Sequence, residues 1–257
     1  MTIHEYSIGQ HQVNGRPAPE PPRSAGGWSV RTASTTAGVA LLLMSALAGF
    51  GKFFVLDRLV TEGNATQTAA DILASEGLFR LGIASLVLVI ALDVVIAWAL
   101  YRVFSPVNHG LSVLAAAMRL VYAGVFMVAI AQLPGVLRVL TDDGNNAAFS
   151  ADQVNAQASL GLIAFTDIWY VSQFLFGLHL LIESYLAYCS GYVPRVLGAL
   201  LAIAGLGYAT DSLGGVLSQG PWTPVSSFTF LGEFLLALWL VVRARRIAAT
   251  AFLVQPS

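Results

Sequence analysis

Charge is what this sequence has least of: Asp, Glu, Lys and Arg together make up 11% of its 257 residues, against about 25% in ordinary soluble domains. A chain so poor in charge cannot cover a water-facing surface on all sides, which excludes the common soluble classes. It holds one cysteine, Cys189, so an internal disulfide and a thiolate metal cage are both excluded. Histidine is scarce as well, at four residues. The formal net charge is −1 with a pI near 6.4, and the basic stripe that nucleic-acid binding requires is missing. What is present instead is apolar surface. Hydrophobic residues reach 56% and mean hydropathy is +0.73, the composition of an all-α chain that crosses a bilayer repeatedly.

Residues 1–34 read as a cytoplasmic tail, disordered because Pro17, Pro19, Pro21, Pro22, Gly15, Gly26 and Gly27 punctuate a stretch with too few apolar side chains for a core. The first apolar run begins only around Ala37, too late for a cleaved secretory signal, so the first span is expected to be retained. Trp28 is placed to anchor at the interface. Six apolar runs follow: Ala37 to Leu56, Leu81 to Val103, Leu111 to Leu133, Leu160 to Tyr188, Val196 to Leu217 and Val225 to Val242. Each meets or approaches the roughly 20 residues that a helix needs to cross about 30 Å of hydrocarbon. The expected architecture is a polytopic bundle of six transmembrane helices over residues 35–244, with a second cytoplasmic tail at 245–257.

Smaller signals fill in the connections. Thr68 and Asp71 have the spacing of a capping box before Ile72, Leu73 and Leu78, which predicts a short helix on the membrane surface. Glu76 and Arg80 are spaced to form a surface ion pair at i,i+4. Pro134 and Gly135 are expected to kink or end the third span, and Thr141 to Asp152 to form a solvated loop. In the fifth run Gly198, Ala202, Gly205, Ala209 and Ser212 put small side chains on one face, as membrane helices do where a neighbour packs closely. Cys189, beside Ser190 and Gly191, reads as a small packing residue.

Orientation follows from where Lys and Arg fall, because translocated loops are depleted in both. Arg16, Arg23, Arg31, Arg102, Arg195, Arg243, Arg245 and Arg246 lie on one side; Lys52, Arg58, Arg80 and Arg138 lie on the other. The richer side is read as cytoplasmic, which places both termini there.

Seven ionisable residues interrupt the apolar runs: Asp93, Arg119, Asp167, His179, Glu183, Asp211 and Glu233. Each costs about 2.5 to 3.5 kcal/mol or more at a helix centre if it faces lipid, so each is expected to face the bundle interior or a cavity, with Asp167, about two turns from the outer end of its run, open to wetting as well. Depths counted at about 1.5 Å per residue put Asp93, Arg119, His179, Glu183 and Glu233 in one layer of the cytoplasmic half, a polar ligand or proton site. Arg119 is expected to take a carboxylate from Asp93, Glu183 or Glu233. Asp167 and Asp211 count to an outer cluster. Ser172, His179 and Glu183 share one face of the fourth run, open to two readings: a structural clamp between Glu183 and Arg119, or a proton relay. Zinc would require more histidines than the bundle holds, and haem a second axial ligand that His109 is badly placed to supply; no metal or cofactor is expected.

A set of short motifs, several of them holding these ionisable residues, carries a resemblance: Ser75-Glu76-Gly77-Leu78-Phe79-Arg80-Leu81-Gly82, Asp93, Pro106-Val107-Asn108, Arg119-Leu120, Phe176-Gly177-Leu178-His179, Gly191-Tyr192-Val193-Pro194-Arg195-Val196-Leu197-Gly198, Ala204-Gly205-Leu206-Gly207-Tyr208, Asp211-Ser212 and Glu233. Through these the chain resembles the bacterial membrane-protein family known as domain of unknown function number 4386, over about Ala37 to Val242. The resemblance implies a six-helix fold in a bacterial plasma membrane and marks those polar positions, and it implies no reaction. Three functions stay open: a small-solute carrier or receptor with a proton-linked site; a membrane-embedded enzyme using His179 with buried carboxylates; and an accessory protein whose buried charges are structural. The expected partners are the lipid bilayer, a small-molecule ligand and further copies of the chain, but not nucleic acid.

Overall fold

The computed structural model describes residues 28–142, 144, 148–218, 225 and 231–251, with side chains as far as Arg243 in the last of these segments. All regular elements among the described residues are helical: α1 (Val30–Gly49), a π-helix (Phe50–Leu56), α2 (Asp57–Leu59), α3 (Ala65–Ala74), α4 (Glu76–Phe104), α5 (His109–Ile130), α6 (Gln132–Thr141), α7 (Ala151–Cys189), α8 (Arg195–Leu217) and α9 (Leu231–Ala251). Among the described residues, five helical stretches are long and apolar enough to cross a membrane: Val30–Leu59, Glu76–Phe104, His109–Thr141, Ala151–Cys189 and Arg195–Leu217. Large apolar side chains cover their outer faces, with Val121 54% and Leu206 57% exposed. Water would not tolerate so much of this surface, whereas lipid tails would.

The sixth expected run falls on α9, displaced toward the C-terminus, and residues 226–230 lie outside the described part. The helices at both ends extend past the expected tail boundaries. Ser29 Oγ accepts from Thr32 N–H at 3.1 Å and starts α1 at Val30. Residues 30–34 are therefore helical, and Ser34 is buried with its hydroxyl donating to Leu240 O at 3.1 Å. At the other end α9 continues to Ala251. The expected disorder of the first residues concerns positions outside the described part.

The connections show why local signals misplace boundaries. The cap of α3 is Asn64, whose side chain accepts from Gln67 N–H at 2.9 Å, and not the Thr68 and Asp71 pair. Thr68 is buried inside the helix, tied through its hydroxyl to Thr61 at 3.0 and 3.2 Å. Asn64 supplies a better cap because it stands before the first residue whose N–H lacks a helical partner. Near Pro134 the break comes earlier than the proline itself. Helix α5 stops at Ile130, the residue whose carbonyl a continuing helix would direct at the proline ring, and α6 then carries Pro134 in its first turn, where no N–H is required. Helix α7 starts on a Ser150 and Gln153 capping box.

The long helices close into a ring. Helix α1 packs on α4, α4 on α5, α5 on α7, α7 on α8, α8 on α9, and α9 returns to α1. Small residues let α7 and α8 approach closely: a Cβ added to Gly205 would lie 2.8 Å from Gly177 O, and one added to Gly177 would lie 2.6 Å from Gly205 O. The small-residue face of α8 thus lies against α7, where side-chain bulk would force the two backbones apart.

Candidate functional site

The ring brings one charged cluster to its centre. Arg119 on α5 and Asp93 on α4 are each 1% exposed. Arg119 Nε and Nη2 both approach Asp93 Oδ1, at 2.9 and 2.7 Å. Arg119 Nη1 lies 3.1 Å from His179 Nε2 on α7, and Nη2 lies 3.5 Å from the Met44 sulfur on α1. The guanidinium carbon also sits 5.2 Å from the centre of the Phe176 ring, a cation–π contact. Three donor nitrogens and one face of the cation are therefore occupied.

Helical spacing explains how His179 reaches two groups on one neighbour. Its Nδ1 stands 2.9 Å from Ala115 O, and Ala115 precedes Arg119 by four residues on α5. Positions i and i+4 share a face, so a single imidazole bridges them. A carbonyl only accepts and a guanidinium only donates, so Nδ1 carries the proton and Nε2 the lone pair. His179 is wholly buried.

Aromatic rings wall this centre. Phe176 packs against Tyr122 at 4.7 Å and edge-on against Tyr208 of α8 at 5.1 Å. The Tyr208 hydroxyl in turn faces the Glu233 carboxylate of α9. Side chains from all six long helices therefore converge, from Met44 through to Glu233, with Glu233 half-buried at the flank.

Some expected contacts are absent. Glu183 is buried one turn beyond His179, but the clamp between Glu183 and Arg119 is not formed, because Asp93 and His179 already occupy the cation. Glu183 Oε2, Asp93 Oδ2 and Gln173 Oε1 are buried without a hydrogen-bond partner among the described residues. The relay between His179 and Glu183 is not formed either, since both imidazole nitrogens are engaged elsewhere. Asp167 and Asp211 do not make an outer cluster: Asp167 is exposed, whereas Asp211 is fully buried and accepts from Val225 N–H at 2.7 Å. Arg80 Nε donates to Glu76 Oε1 at 2.8 Å on the exposed start of α4. Cys189 is exposed rather than packed.

Outside the long helices, Tyr192 in the α7–α8 turn donates its hydroxyl to Val103 O at 2.6 Å. Burial, reinforced by the Glu183 carboxylate, raises this phenol above its usual range and keeps the donor proton in place. Met44 and Tyr122 were not singled out by the sequence, and Phe176 and Tyr208 stood out only as members of the motifs that carry the family resemblance. Tyr122 carried a readable signal, lying one helical turn from Arg119; Met44 read as an ordinary apolar residue. No group of three or more His, Cys, Asp or Glu placed to hold a metal occurs among the described residues.

The class these features define is a bundle of apolar, membrane-compatible helices closed around a charged centre. The chain belongs to the family described as Domain of unknown function (DUF4386), which matches residues 36–244. An uncharacterised protein of Archaeoglobus fulgidus is 33% identical over 166 residues, which cover 65% of this chain and 85% of that relative. No solved structure matches.

Proposed function

We propose that this protein is a non-catalytic component of the plasma membrane, a six-span bundle with both ends in the cytoplasm whose buried charges lock the ring shut. The observation that supports the lock is the occupied guanidinium of Arg119, held by Asp93, His179, Met44 and Phe176 from three other helices. A catalytic acid or base needs a free lone pair or proton near a substrate, and His179 offers neither. Two hollows defined by the described residues, one at the α7–α8 turn and one between α5 and α7, are lined by none of the cluster residues. The sixth span is α9. Its length of 21 residues suffices to cross, and a sixth crossing returns the arginine-rich C-terminal end to the side of Arg31, Arg102 and Arg195. Reporter fusions test this: those after Ser105, Gly191 and Arg246 should read cytoplasmic and those at Gly63, Asn145 and Gly220 external. A cytoplasmic reading at Gly63 would overturn the orientation.

A second reading, a carrier or receptor for a small solute, has one observation in its favour: the unpartnered buried oxygens of Asp93 and Glu183. Proteoliposomes subjected to a pH or sodium jump separate the two. The lock predicts no charge movement, whereas a current lost in Glu183→Gln would establish the carrier.

A further inference from the structure

We infer that the α7–α8 turn, together with the groove between α5 and α7, forms a binding site for one anionic phospholipid. Two hollows carry the inference. The first, about 470 Å³, is lined by Tyr188, Cys189, Gly191, Val193 and Arg195. The second, about 280 Å³, is lined by Leu111, Met118, Leu178, Leu181, Ile182 and Tyr185. The α7 residues of both hollows recur at helical spacing, from Leu178 through Leu181, Ile182 and Tyr185 to Tyr188 and Cys189, so they follow one face of the helix. From the Leu181 level to the Tyr188 level is roughly 10 Å along the axis. The apolar groove thus lies along the same face of α7 that leads to the hollow holding the Arg195 cation.

The chemistry of the upper hollow selects the ligand. The Arg195 guanidinium lies 5.4 Å from the centre of the Tyr188 ring, which orients it without neutralising it. It has no acidic partner among the described residues, and no acid lines the hollow. Gly191 turns the chain at φ +71°, and a Cβ added there would meet nothing within 4 Å, so the floor of the hollow is left open. A phosphodiester with net negative charge matches the uncompensated guanidinium, and an acyl chain matches the groove below. A zwitterionic lipid would bring its own cation to a hollow with no anion to receive it. The inference depends on these helices being membrane spans, but not on their number or on the lock.

The single cysteine of the chain lies in the upper hollow and reports on it without engineering. The full chain, purified in dodecylmaltoside, is supplemented with phosphatidylglycerol or phosphatidylcholine, and alkylation of Cys189 by an uncharged maleimide is timed. Phosphatidylglycerol should slow the reaction about fivefold relative to phosphatidylcholine, the factor one arginine contributes at an anionic membrane surface. Arg195→Gln should abolish the difference and Arg58→Gln should preserve it. Ile182→Trp, which fills the groove, should also reduce it. Inorganic phosphate and glycerophosphoglycerol should not protect. Equal rates with the two lipids in the unaltered chain would overturn the site whatever the variants do, and so would full protection by inorganic phosphate, which would mark a soluble-anion pocket. A chain that stays in solution without detergent would instead overturn the membrane reading itself.

Discussion

Arg119 Nη1 and His179 Nε2 stand 3.1 Å apart across the α5–α7 seam, with the imidazole as acceptor. The ring is consequently held as the Nδ1–H tautomer, donating to Ala115 O. Nitrogen-15 spectra of histidine-labelled protein should contain one ring with a protonated Nδ1 and a bare Nε2, and that signal should vanish in His179→Phe. An Nε2–H tautomer at this position would require the Arg119 contact to be broken.

The Asp93 and Arg119 pair should behave as a coupled unit. Asp93→Asn leaves a buried guanidinium without its counter-charge and should cost about 3 to 5 kcal/mol. Asp93→Leu combined with Arg119→Met removes both charges and should be more stable than either single change. Unfolding in detergent with increasing sodium dodecyl sulfate measures all of these; a double variant as unstable as the sum of its parts would show that the two charges do not act together.

Gly177 and Gly205 set how closely α7 and α8 approach. Gly205→Leu should overpack the seam and destabilise by about 1 to 3 kcal/mol. Gly124→Ala serves as the comparison, because its Cβ would meet nothing within 4 Å. That change should be neutral or stabilising by up to about 1 kcal/mol, read as a rise in melting temperature where Gly205→Leu gives a fall.

The start of α3 separates two candidate caps. Asn64→Ala should cost about 1 kcal/mol and speed hydrogen exchange at the first amides of the helix. Asp71→Ala should leave those amides unchanged, because Asp71 accepts from Gln67 Nε2 on the exposed face.

Within the described part, much of the site was legible before any contact was known. Hydropathy located the long apolar helices, and the expectation that a charge avoids lipid placed Asp93, Arg119, His179 and Glu183 inside the bundle, where all four are buried. Asp167, about two turns from the outer end of its run, was open to wetting, and it lies exposed on α7, a helix of 39 residues, nearly twice the roughly 20 that a crossing of the hydrocarbon needs.

The sequence by itself determined the class of the protein, the helices and the residues forbidden to face lipid, because composition and periodicity are local and the solvent acts on each segment separately. The tertiary structure decided which charge meets which. The partners of Arg119 lie 26, 60 and 75 residues away along the chain, and several carboxylates were equally eligible by depth. Closure of the ring chose among them: it delivered Asp93 and His179 to the guanidinium and left a Glu183 oxygen unpaired, an outcome fixed by the rotation and spacing of packed helices that no local pattern encodes.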